Sequence, residues 1–112
     1  MSIVTSEDYG ILITGTTKYF VIQGCYFETG RYGIFIDNVA ENTTTVVNNT
    51  FYGNDYCGLR IEDSGGCKVT YNTFSNNYYG LSTYWCHYSI ISNNTILNQQ
   101  GLYIFLQYPH LE

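Results

Sequence analysis

Two acids lie at matching places in this sequence, with an arginine near one of them, and these residue types could cleave a polysaccharide. Asp37 and Glu62 occupy equivalent positions in two similar segments, with Arg60 two residues before Glu62 and Asp63 directly after it. Glycoside hydrolysis uses two carboxylates about 5–9.5 Å apart, one of which has a raised pKa. Lyase chemistry of the pectate type would need an acidic calcium cluster and a basic residue. These four residues are therefore the catalytic candidates.

The same residues also suit a role without catalysis. An ion-pair ladder Asp37–Arg60–Glu62 on a solvated face would contribute modestly to stability and carry out no reaction. The sequence contains no Asp-Asp pair and no Asp-rich calcium loop. We therefore favour a non-catalytic chain, and a truncated lyase or hydrolase stays the alternative.

Aromatic residues accompany these charges at positions that we predict to point outward. A sugar ring has an apolar face and a rim of hydroxyl groups, which aromatic rings and carboxylates can contact. These residue types suit a polysaccharide-binding face made of Phe35, Asp37, Arg60, Glu62, Tyr84, Trp85 and Tyr103. The alternative is that these aromatics pack against a neighbouring domain or against each other.

Metal-ligand residue types are few and poorly placed. Copper sites use His, Met or Cys. Cys86 and His87 are adjacent, but neighbouring strand residues point to opposite faces, and Met1 and His110 lie near the ends. The four cysteines form no CxxC motif, so we predict free thiols, with a disulfide or a metal site as alternatives. No metal site and no cofactor is predicted.

The composition favours strands and turns. Of the 112 residues 45% are hydrophobic, only 12% are charged, and 13 are Tyr, whereas residues that favour helices are scarce. The net charge of −5 argues against a nucleic-acid partner. No apolar run is long enough to span a membrane, so membrane insertion is not expected.

Two signatures repeat through the chain in one phase. A Gly-apolar-x-apolar motif begins at Gly10, Gly33, Gly58, Gly80 and Gly101, at spacings of 23, 25, 22 and 21 residues. A second motif closes with an apolar residue at Phe27, Phe51, Phe74 and Ile96. Repeats of this length indicate stacked units that bury a common core. Equivalent strands would lie about 4.8 Å apart.

An asparagine column belongs to the same repeat. Asn49, Asn72 and Asn94 align, and stacked amides can hydrogen-bond from one coil to the next. Three asparagines also begin N-glycosylation patterns, at Asn42, Asn48 and Asn93. We interpret the column as a structural turn ladder.

The repeats resemble those of right-handed parallel β-helix proteins over about residues 9–105. That family includes pectin-lyase-like enzymes, the carbohydrate-binding and sugar-hydrolysis family and NosD-like periplasmic proteins. The resemblance implies substrate contact along the outer face of the first sheet. It also implies an extracytoplasmic location, secreted or at the cell surface.

We therefore predict an all-β, right-handed parallel β-helix of about four coils of 21–25 residues, with three short strands per coil. Residues 1–110 are expected to form one domain of a longer protein, and residues 111–112 to be a cloning scar. The expected function is a non-catalytic repeat module that contacts polysaccharide, with a purely structural spacer as a further alternative. Unpaired sheet edges at the ends predict end-to-end self-association.

Overall fold

The computed structural model describes residues 2–4, 8–97 and 102–105. They contain fourteen strands and no helix, and hence no helix that could cross a membrane. The first sheet contains β1 Ser2–Val4, β2 Tyr9–Thr14, β5 Tyr32–Asp37, β8 Cys57–Glu62, β11 Tyr79–Tyr84 and β14 Leu102–Phe105. The second contains β3 Phe20–Gln23, β6 Thr44–Val47, β9 Lys68–Thr70 and β12 Ile90–Ser92. The third contains β4 Tyr26–Glu28, β7 Thr50–Tyr52, β10 Thr73–Ser75 and β13 Thr95–Leu97.

The strands follow a right-handed parallel β-helix of about four coils, as the repeats predict. Each coil places one strand in each sheet, and equivalent strands of successive coils pair in parallel. In the first sheet Ile34 pairs with Ile11 on one side and with Leu59 on the other. The predicted fold class is therefore confirmed.

The core consists of columns of identical or similar apolar residues. Ile34, Leu59 and Leu81 are fully buried in the first sheet. In the third sheet the ring of Phe51 is stacked between two others, 5.1 Å from Phe27 and 4.7 Å from Phe74 between centroids. Because no single coil has an apolar face large enough to bury alone, the columns hold neighbouring coils together.

The repeating glycine is needed for steric reasons. A Cβ atom added at Gly33 would lie 2.5 Å from the carbonyl oxygen of Gly58 and 2.7 Å from Cδ1 of Phe51. Gly10 and Gly58 meet equivalent atoms of their own neighbours. The glycine therefore lets the backbone of one coil pass close to both the core ring and the next coil.

A residue with left-handed backbone conformation begins the turn between the second and third sheets in every coil. Gly24, Asn48, Tyr71 and Asn93 have φ values of 58–68°, a region that Gly and Asn adopt more readily than other residues. Asn42, which begins another glycosylation pattern, also has positive φ. The exposed Asn48 and Asn93 thus have a structural reason to be asparagine.

The following residue of that turn builds the asparagine ladder. The side-chain carbonyl of Asn72 accepts from the backbone N–H of Asn49 at 2.9 Å, and its amide donates to the carbonyl of Val46 at 2.9 Å. Asn49 makes the same two bonds to the preceding coil, with Cys25 and Ile22. Both asparagines are buried, so the ladder satisfies polar groups that have no access to water.

A second asparagine ladder, which the sequence patterns did not predict, lies at the turn between the third and first sheets. Asn54 donates its backbone N–H to the side-chain carbonyl of Asn77 at 2.9 Å. The amide of Asn77 donates to the carbonyl of Phe51 at 2.9 Å. Both residues are buried, and the column ends at Gly30, whose N–H donates to Asn54.

Strand β1 adds an antiparallel strand to an otherwise parallel sheet. Ile3 pairs with Ile13, so β1 covers the edge that β2 would otherwise expose. In the part of the chain that the structure describes, β3 and β4 each pair on one side only. End-to-end self-association through such edges stays a prediction.

Candidate functional site

The predicted face is the outer surface of the first sheet, where two rows of side chains cross the coils. Phe35 pairs with Arg60, and Arg60 pairs with Ser82. Asp37 pairs with Glu62, and Glu62 pairs with Tyr84. The structure thus places five of the predicted binding residues on three neighbouring strands; Tyr103 lies on β14 in register with Ser82, and its side chain is outside the described residues.

Arg60 is fixed at the centre of this face. Its Nε donates to Glu62 Oε2 at 2.9 Å, its NH2 lies 2.8 Å from the same oxygen, and its NH1 donates to Ser82 Oγ at 2.7 Å. Its guanidinium carbon lies 6.0 Å from the ring centroid of Tyr84. Burial opposes the charge, but the hydrogen bond and charge of Glu62 outweigh burial and raise the pKa of Arg60. Ser82, an outward position, is fully buried, since it lies beneath this network.

Asp37 is not part of that ion pair. Among the described residues of this face, Arg60 pairs with Glu62, so the predicted three-residue ladder is a two-residue pair. Burial raises the pKa of Asp37 above its ordinary value, and the charges of Glu62 and Asp63 raise it further. This carboxyl therefore sits in a negative local potential.

Replacing Asp37 by asparagine is expected to stabilise the chain at neutral pH. A carboxyl whose folded pKa is raised binds more protons when folded, so its contribution is fully present below the unfolded pKa of 3.8 and is lost as pH rises through the folded pKa. The urea midpoint of Asp37→Asn should exceed that of the wild type at pH 7 and match it below about pH 3.

The matched control is Asp55→Asn, which removes an exposed carboxylate outside this face. Its midpoint at pH 7 should stay close to that of the wild type, as for most exposed surface positions. A midpoint for Asp37→Asn that is lower than wild type at pH 7 would contradict the raised pKa.

Trp85 lies at the end of the face, at the turn that leaves the first sheet. Its φ of 62° is unusual for a bulky side chain. Gly15, Asn38 and Asp63 take the same conformation in the other coils. The rings of Trp85 and Tyr84 lie 5.9 Å apart at 58°, so the turn conformation places both aromatics together at one corner.

A row of tyrosines, missed by the sequence reasoning, borders the other end of the face. The ring centroids of Tyr9 and Tyr32 lie 5.5 Å apart, those of Tyr32 and Tyr56 5.4 Å, and those of Tyr56 and Tyr79 5.6 Å. Phe35 joins the row through Tyr32, 4.9 Å away. The available signal was a tyrosine directly before the repeating glycine, at Tyr9, Tyr32 and Tyr79.

A cleft of about 720 Å³ opens beside this tyrosine row. Its polar lining includes Tyr32, Arg31, Glu28 and Asp55. Tyr32 belongs to both surfaces, so the outer face of the first sheet continues around the corner into the cleft. The resulting surface combines aromatic rings, hydroxyl groups and carboxylates.

The four cysteines are free thiols, as predicted. Burial raises the pKa of Cys57 to about 12 and that of Cys67 to about 11. Burial also raises the pKa of Cys86, whose Sγ lies 3.2 Å from the carbonyl oxygen of Ile61. Each of these thiols would have to release its proton to bind a metal ion, because a thiol binds metal as the thiolate. Cys25 is exposed.

The described residues do not form a metal centre. They contain no group of three or more His, Cys, Asp or Glu side chains that could hold a metal ion. His87 Nε2 lies 3.9 Å from Glu41 Oε2, whereas Cys86 is buried and directed to backbone carbonyls. Met1 and His110, the other candidate ligands, lie outside the described residues.

A family model described as periplasmic copper-binding protein (NosD) matches residues 2–108 of the chain. No curated protein and no solved structure matches. The copper in that description does not fit the donor groups of the described residues. The periplasmic description agrees with the extracytoplasmic location that the family resemblance implies. With nearly all of its length matched, this chain belongs to the NosD family of β-helix proteins.

Proposed function

We propose that the chain is a non-catalytic β-helix module that contacts polysaccharide through the outer face of its first sheet. The observation that supports this proposal is the set of half-buried side chains Phe35, Arg60 and Tyr84 on three adjacent strands. Glu62 and Ser82 hold Arg60 in place. A surface that is already ordered loses little conformational entropy on binding.

The chemistry of the face suits a polyhydroxylated ligand. The apolar side of a sugar can pack on Phe35, while its hydroxyl groups can hydrogen-bond to Asp37, Glu62 and the tyrosine row. The rows run along the stacking direction, so a polymer could contact several coils at once. A polymer that contacts several coils at once binds more tightly than a single sugar, which contacts only one.

Binding is expected to depend on the aromatic side chains of this face. Affinity gels that contain individual polysaccharides would be run with the wild type, with Phe35→Ala and with a Tyr84→Ala/Trp85→Ala variant. Loss of a central aromatic contact that contributes about 1.4–2.8 kcal/mol would weaken binding about 10- to 100-fold. A polymer that retards the wild type should therefore retard both variants far less.

The control variant is Tyr19→Ala. Tyr19 is 81% exposed and precedes β3 of the second sheet, away from the face. Its removal should leave retardation unchanged. If no polysaccharide retards the wild type, or if Tyr19→Ala loses as much affinity as Phe35→Ala, the binding proposal fails and a structural spacer replaces it.

The raised pKa of Asp37, which lies beside Glu62, favours a hydrolase or lyase as the second candidate. Hydrolases pair a carboxyl of raised pKa with an ionised one, and these two residues are register partners on adjacent strands. The test is release of reducing ends from a bound polymer. If the chain is catalytic, the wild type should release reducing ends. Asp37→Asn and Glu62→Gln should each reduce that release at least about 100-fold.

A further inference from the structure

The charges around the candidate face restrict the class of polysaccharide that it can hold. Among the described residues of the face, Asp37 and Glu62 lie on the strands with a single cation, Arg60, and Asp63 follows Glu62 at the turn. Glu62 already neutralises that cation at 2.8 Å. The local charge that a ligand meets is therefore negative.

The adjoining cleft has the same sign. Asp8, Glu28 and Asp55 line it together with one cation, Arg31. The other two cations of the chain are elsewhere: Lys68 lies on β9 of the second sheet, and Lys18 precedes β3. In the described part of the chain, the face and the cleft thus combine six carboxylates with two guanidinium groups.

Asp37 lies close enough to Glu62 and Asp63 to feel their charges. Burial is the largest cause of the raised pKa of its carboxyl, and the charges of Glu62 and Asp63 raise that pKa further. A second anion placed on the same surface would meet the same repulsion. Like charges opposed across an interface weaken association.

We propose that the ligand of this face is a neutral polysaccharide and not a polyuronate. This inference rests on the proposed function, since it names the class of polymer that the same face contacts. A polyuronate carries a carboxylate on each sugar and would place a row of anions along the row of acids. The polar groups of a neutral polymer are hydroxyls. The carboxylates can accept hydrogen bonds from these hydroxyls, and the tyrosine row can both donate hydrogen bonds to them and accept hydrogen bonds from them.

An amine-bearing polymer would be attracted by a different mechanism. The chain has a net charge of −5, so a polycation would be held by overall charge, at any acidic part of the surface. Such binding falls as salt screens the charges. It would also persist in Phe35→Ala, because that variant keeps every carboxylate.

The test is depletion of the full chain from solution by beads that carry one polymer each: mixed-linkage β-glucan, galactomannan, xyloglucan, polygalacturonate or chitosan. Each is measured with the wild type and with Phe35→Ala, at about 0.02 M and about 0.5 M salt. We expect at least one neutral polymer to bind equally at both salt concentrations and about tenfold less tightly to Phe35→Ala. Polygalacturonate should bind at least about tenfold more weakly than that neutral polymer at low salt.

The results separate a failure of the neutral-ligand inference from a failure of the proposed binding function. Tight binding of polygalacturonate at low salt that Phe35→Ala abolishes would overturn the neutral-ligand inference and leave the binding face intact. Binding of chitosan alone, lost at high salt and unchanged in Phe35→Ala, would overturn both. Failure of every polymer to deplete the chain would also overturn both.

Discussion

Replacing Phe51 by alanine is expected to lower the free energy of unfolding by about 3–5 kcal/mol. Its ring is fully buried and stacked between Phe27 and Phe74, so truncation leaves a cavity in the middle of the phenylalanine column. A domain of this size has a total stability of about 5–15 kcal/mol. Urea denaturation followed by circular dichroism would measure the loss, which should leave a marginally stable or unfolded chain at 25 °C.

The neighbouring residue provides the control. Tyr52 follows Phe51 on the same strand, and its side chain is 42% exposed. Tyr52→Ala should cost less than about 1 kcal/mol. If both variants lose the same stability, the phenylalanine column does not hold the coils together.

Replacing Asn72 by alanine is expected to cost about 3 kcal/mol, an effect nearly as large. The change removes the acceptor of the Asn49 N–H and the donor to the Val46 carbonyl, both at 2.9 Å. A buried polar group left without its partner costs about 1–3 kcal/mol. The urea midpoint should fall accordingly, with the slope of the transition unchanged.

Thr73→Ala is the control for the ladder. Thr73 is exposed and begins β10, directly after Asn72. Its midpoint should stay close to that of the wild type. A loss of under about 1 kcal/mol for Asn72→Ala would mean that water replaces the ladder bonds and that the asparagine column is not a stabilising element.

The sequence was sufficient for the fold because the repeat carries its own register. Residues that recur after one coil must stack, so the alignment of Ile34 with Leu59 and of Phe51 with Phe74 follows directly from the spacing. The outward rows, Phe35 with Arg60 and Asp37 with Glu62, follow from alternation along the same strands. The candidate face could thus be placed before its contacts were known.

Alternation failed where strands begin at a corner. Period two would place Gly33 outward and Tyr32 inward, on the side of Ile34. The structure instead directs the missing side chain of Gly33 toward Phe51, and the ring of Tyr32 contacts Phe35. The chain turns at this point, so both Gly33 and Ile34 face the core, and the tyrosine row could not be predicted from alternation.

Contacts between long polar side chains were also beyond the sequence. Nothing in the spacing decides whether Arg60 pairs with Asp37 or with Glu62, because both are within reach of a flexible guanidinium. The bond from Arg60 to Ser82 then buries a residue that alternation places on the surface. The second ladder escaped notice because, among the described residues, Asn54 and Asn77 alone form its column, which ends at Gly30.

The positive-φ turns recur once in each coil, so one whole coil is the segment that can be duplicated or lost. Gly24, Asn48, Tyr71 and Asn93 open the same turn in four successive coils, although they are three different residue types. Tandem duplication of one whole coil in the gene would therefore insert a segment whose core, glycine and turn positions all meet equivalent neighbours. An insertion of odd length within a strand would turn the following core residues toward solvent. Selection can thus lengthen or shorten such a molecule by whole coils, while the outer side chains of each copy remain free to diverge.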